Sequence, residues 1–120
     1  MDRAFLFVGS LAAFLAVMLG AFGAHGLRGR LPPEMLAVFE TGVRYHMYHA
    51  LAILAAGLIV PAMGGWIVRA AGWAFTIGIV LFSGSLYALA LTGVTTLGMV
   101  TPLGGLAFLV GWALLVYAAL

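Results

Sequence analysis

From Phe5 to Ala24 the chain runs for twenty residues without one ionisable side chain. A helix that crosses the hydrocarbon core of a bilayer needs about 20 apolar residues, each adding about 1.5 Å of rise. Three further stretches of spanning length follow, at about 34–60, 66–91 and 99–120. In lipid every backbone N–H and C=O must be paired internally, and a helix does this without a partner. The pattern therefore predicts an all-α integral membrane protein, a four-helix antiparallel transmembrane bundle, with residues 1–120 as a single transmembrane domain. Composition agrees. The chain is 66% apolar and 7% charged, where a soluble domain carries about 25% charged residues.

Arg3 ahead of an apolar run, with small residues near Ala24, has the look of a signal peptide. The run is longer than the roughly 7–15 residues of a signal core, so it is read as a retained helix. Breaks between spans are supplied by Gly26–Pro33, by the segment from Pro61 to Gly65, and by the uncharged turn from Thr92 to Gly98. Pro102 is tolerated in the first turn of the last helix. The formal net charge is only +2, and no basic patch of the kind that binds nucleic acid is present. The absence of cysteine excludes disulfides, thiolate metal sites and thiol catalysis, and leaves the compartment open.

Short connections make successive helices antiparallel. Arg3 and Arg69 then share one side of the membrane, and Arg28 and Arg30 the other, so arginine counting does not choose an orientation. Small residues recur every fourth position at Ala12, Ala16, Gly20 and Ala24, at Ala70, Ala74 and Gly78, and at Ala107 and Gly111. Such stripes let helices approach closely in lipid. They pack either within the chain or against a second copy in a homo-oligomer.

The same topology collects polar residues in one half of the bilayer: His25, Glu40, Arg44, Tyr45, His46, Tyr48, His49, Ser83, Ser85, Tyr87 and Thr101. We take His25, Glu40, Arg44, Tyr45, His49, Ser83, Ser85, Tyr87 and Thr101 as a candidate polar pocket, with His25, His49, a serine and Thr101 in one layer. Intramembrane ionisable groups are costly and mark functional sites. Glu40 and Arg44 are four apart with the acid first, the favourable order for a helical ion pair, expected to be partly buried. Alternatively Arg44 clamps an anion or a headgroup. His46 and His49, three apart, are candidates for sharing a metal, but no His-Glu-x-x-His pattern or clear third ligand accompanies them. Haem ligation by His25 and His49 has only the two histidines in its favour. The alternative is that each histidine is hydrogen-bonded and neutral, that the tyrosines belong to an interfacial belt, and that the serines bond to the preceding helical turn. No serine has a convincing base, so no hydrolase triad is read, and no cofactor is assigned.

Three functions fit these residues. The pocket binds or transports a small molecule, ion or lipid headgroup. Alternatively its residues only hold the helices together in a structural or assembly protein. A third reading is a membrane enzyme using His49 as acid and base.

Four ordered motifs covering nearly the whole chain carry a resemblance: GAFGAHGL at 20–27, TGVRYHMYHALA at 41–52, LFSGSLY at 81–87, and TPLGG at 101–105 followed by Gly111-Trp112. In these the chain resembles the small membrane proteins of the domain of unknown function 423, also called the transmembrane protein 256 family. The resemblance implies four spans, the inner (plasma) membrane in bacteria, and both termini in the cytoplasm. It implies no agreed activity or ligand, and it puts more weight on His25 and His49 than on His46.

Overall fold

The structure is a computed structural model and describes residues 2–63 and 65–120. Among the described residues five α-helices form: α1 (Arg3–Ala21), α2 (Pro33–Met63), α3 (Gly65–Gly78), α4 (Gly84–Thr92) and α5 (Thr101–Ala119). A π-helical turn over Phe22–Gly26 prolongs α1, another over Ile79–Ser83 joins α3 to α4, and a 3-10 turn over Thr95–Met99 leads into α5. Four helical spans result, Arg3–Gly26, Pro33–Met63, Gly65–Thr92 and Thr95–Ala119, each long and apolar enough to cross a membrane. The antiparallel four-helix bundle read from the sequence is the observed fold. It is a flattened slab, 47 × 25 × 18 Å.

Local chemistry sets the span ends. Asp2 caps α1, its carboxylate accepting from the N–H groups of Ala4 and Phe5 at 3.0 and 3.3 Å, which satisfies donors that a helix start leaves open. Asp2 also reaches Arg69 at 3.8 Å. Gly93 closes the third span in the left-handed conformation, φ 73°, its N–H on Leu89 O, the usual glycine stop.

The second span departs from expectation. It continues through Pro61 to Met63 rather than ending at Val60. Proline has no N–H, so the carbonyl four residues earlier loses its helical partner. That carbonyl belongs to Gly57, and the N–H of Asp2 donates to it at 3.0 Å. The start of the first helix thus repairs the defect in the second.

Close packing holds the spans together, because lipid offers little hydrophobic drive between helices. Glycines receive aromatic rings. Phe108 of α5 lies over Gly78 of α3, and Phe75 of α3 lies over Gly111 of α5, a reciprocal lock between the third and fourth spans. The glycines of the predicted stripes at positions 20, 78 and 111 are therefore occupied within the chain. The larger apolar core contains Phe5, Ile53, Ala56, Val68, Phe75 and Phe108, and a smaller one joins Leu27, Phe39 and Ala90 at the other end.

Candidate functional site

The second span packs against the first on one side and the third on the other, while the fourth packs mainly on the third. Two wedges remain, one between the first and third spans and one between the second and fourth. A histidine of α2 faces each.

His46, 5% exposed, faces the first wedge. Its Nδ1 lies 2.8 Å from the Tyr87 hydroxyl, and the Tyr87 ring covers Gly42. Ser83, fully buried, donates to the Gly42 carbonyl at 2.7 Å. The π turn over Ile79–Ser83 ends at this serine. Such turns recur at functional sites. The space left is about 200 Å³, lined by aliphatic groups of all three spans together with His46 and Thr76.

His49, also 5% exposed, faces the second wedge, and its ring stacks on Phe108 with centroids 3.5 Å apart and planes within 6°. Its Nδ1 is 2.7 Å from the Tyr45 carbonyl, and the Trp112 indole N–H donates to Nε2 at 3.1 Å. A carbonyl only accepts and an indole N–H only donates. The two bonds together require neutral imidazole with its proton on Nδ1. Tyr45 packs on Phe82, which packs on Phe108. These rings, with Tyr48, Gly105, Leu109 and Trp112, line a groove of about 400 Å³ that opens sideways.

The candidate polar residues do not form one pocket. Ser85 and Thr101 bond to each other at 2.6 Å. Thr101 is eleven residues from Trp112 on the fourth span, about 16 Å along a helix, so His49 and Thr101 occupy different layers. His25 is exposed at the end of the first span and joins neither wedge. Tyr45 and Tyr48 are exposed at the groove mouth. Glu40 and Arg44 are both exposed and no ion pair joins them; among the described residues the ion pair is Asp2–Arg69. The partly buried pair expected from their spacing is not formed. Instead both line a cleft of about 260 Å³ with Gly20, Gly23, Phe39 and Val43. His46 and His49 face different wedges, and among the described residues no three acidic or histidine side chains gather where a metal would be held.

Sequence reasoning missed Phe82, Gly105, Phe108 and Trp112. One signal was available: Phe108 and Trp112 are four apart, on one helical stripe, with Gly104 and Gly105 one turn earlier.

Every buried side-chain nitrogen and oxygen among the described residues has a hydrogen-bond partner. The buried polar groups are thus paired with one another or with backbone carbonyls, and the His49 groove is walled mainly by aromatic rings.

Known proteins give a matching picture. The family profile described as "Protein of unknown function (DUF423)" matches residues 19–105. The UPF0382 membrane protein YwdK of Bacillus subtilis is 50% identical over 118 residues, covering 98% of this chain and 96% of that protein. The UPF0382 membrane protein SERP0230 of Staphylococcus epidermidis is 48% identical with the same coverage. The UPF0382 membrane protein SAB0533 of Staphylococcus aureus is 45% identical, covering 97% and 94%. No solved structure matches the chain. A family match over most of the length, joined to relatives that align end to end and are themselves named membrane proteins, makes this chain a membrane protein of the DUF423 family.

Proposed function

We propose that the protein binds a lipid-soluble small molecule in the groove between its second and fourth spans. The observation that carries this reading is the groove itself. Its volume of about 400 Å³ falls within the roughly 300–1,000 Å³ of small-molecule sites. Aromatic faces line it, and it opens where lipid would lie. The occupant is an amphipathic molecule whose planar or unsaturated part packs on Phe82, Phe108 and Trp112, with its polar end at the Tyr45 and Tyr48 hydroxyls. Passage of a polar solute finds less support, since the buried polar groups are already paired. Those same closed bonds support a second reading, an assembly protein whose polar residues only fix the helices.

Native mass spectrometry of the protein taken gently from its membranes separates the two. The binding reading expects a retained small-molecule mass that Gly105→Leu removes, because that side chain enters the groove with only ordinary contact to Phe82. A bare chain, or a bare oligomer, supports assembly instead.

The proposal includes a setting: the bacterial plasma membrane, with both termini cytoplasmic. The family resemblance supports it. Single cysteines placed near either end of this cysteine-free chain should both be shielded from an impermeant reagent in intact cells. Labelling of both from outside would reverse the orientation.

A further inference from the structure

The geometry points to a second site, independent of the aromatic groove: the cleft between the first and second spans takes the headgroup of a zwitterionic phospholipid bearing a primary ammonium, its phosphate on Arg44 and its ammonium on Glu40. The two spans are in register there, since a Cβ at Gly20 would stand 3.2 Å from Val43 and one at Gly23 2.9 Å from Phe39. Arg44 therefore lies level with Gly20, six residues before the end of the first span at Gly26, about 9 Å below that end. An arginine this close to a span end carries its guanidinium toward the headgroup layer, where a lipid phosphate lies. No ion pair joins it to Glu40, although both line the same cleft.

The two charges are ordered along the bilayer normal. Glu40 is one turn nearer the membrane face than Arg44, about 6 Å. A phospholipid has the same order, since its phosphate is bonded nearer the acyl chains and its amine farther out. Guanidinium suits phosphate through paired N–H donors, and a carboxylate accepts the N–H bonds of a primary ammonium, which a quaternary ammonium lacks. Val43 and Phe39 give the glycerol and upper acyl chain an apolar floor. Arg28 and Arg30 lie on the following loop, not in the cleft, so a purely anionic lipid meets one cation there and one opposing acid.

The test is a titration followed by native mass spectrometry in detergent, using phosphatidylethanolamine, phosphatidylcholine and phosphatidylglycerol with identical chains. The ethanolamine lipid is expected to bind about tenfold tighter than either other lipid, the equivalent of one good charge-assisted bond. Glu40→Gln should erase that preference, Arg44→Gln should weaken all three lipids, and Glu40→Arg should turn the preference toward phosphatidylglycerol. Both positions are exposed, so the variants keep the fold, and the preference reversal is a gain that misfolding cannot imitate. Equal binding of the three lipids, or a preference untouched by Glu40→Gln, would overturn the site. Soluble glycerophosphoethanolamine competing on equal molar terms would overturn the lipid as its occupant. Gly105→Leu leaves this cleft intact, so failure here and failure of the aromatic groove are separable.

Discussion

His46 and His49 stand one turn apart on α2, are equally buried, and behave differently. His46 faces aliphatic surroundings and meets one hydroxyl, Tyr87, which itself lies over Gly42. His49 faces aromatic rings, and both its nitrogens are held by groups that each play one role only. The roughly 60° between residues three apart on a helix is enough to send them into separate wedges. The difference lies in what each wedge does with its space. The His46 wedge keeps about 200 Å³ between mainly aliphatic side chains of the three spans that meet there. The His49 wedge keeps twice the volume behind a rigid aromatic wall, because the second and fourth spans are held apart by the reciprocal glycine–phenylalanine lock of the third and fourth. Equal burial of like residues therefore marks structure on one side of α2 and a candidate site on the other.

Adjacent glycines give the strongest way to break this contrast. Gly104 faces the backbone of Phe82 and has no room for a Cβ, whereas Gly105 faces the groove with Phe82 at an ordinary 3.9 Å. Gly104→Val is expected to cost about 3 kcal/mol by forcing α5 away from the π turn. Gly105→Leu should stay within about 0.5 kcal/mol, as changes away from packed features do. Denaturant titration in detergent measures both. Equal and large losses would mean that the His49 wedge is closed in solution.

Double-mutant cycles sharpen the contrast at intermediate size. Tyr87→Phe combined with His46→Phe, and Trp112→Phe combined with His49→Phe, should each show coupling of about 1 kcal/mol, the net value of one hydrogen bond. The cross cycle between His46 and His49 should be additive within about 0.5 kcal/mol, since they share no partner. Coupling of several kcal/mol there, or a melting temperature raised by added zinc, would put both rings on one ion.

The spans were legible because a twenty-residue apolar run has few alternatives in lipid. Helix rotation was not. Position along the chain brings His25 near the others, yet it lies in the π turn over Phe22–Gly26, whose altered pitch redirects side chains that α-helical spacing would align. Pro61 was misread as a stop because its remedy, the Asp2 N–H on Gly57, comes from the far end of another helix. Phe82, Phe108 and Trp112 were passed over because aromatic residues in a span look like lipid-facing bulk until a neighbouring histidine gives them a role.

The smallest expected effect concerns Glu40 and Arg44, where spacing predicted a pair and the structure holds none. Glu-before-Arg at four residues is the favourable order on a helix, yet an exposed pair of this kind contributes only about 0–1 kcal/mol. Holding both long side chains in one geometry costs rotamer freedom of similar size. Here Arg44 and Glu40 instead face the cleft beside Gly20 and Gly23. In detergent free of ethanolamine lipid, Glu40→Gln and Arg44→Gln should each change stability by no more than about 0.5 kcal/mol, and the double variant should equal their sum within about 0.5 kcal/mol. A buried pair behaves otherwise, since removing one partner strands the other charge at about 3–5 kcal/mol. Coupling near that size would restore the ion pair and close the cleft as a headgroup site, because Glu40 would then be held on Arg44 and no longer free to accept an ammonium. Additivity keeps the two groups independent, which the ordered binding of phosphate and ammonium requires.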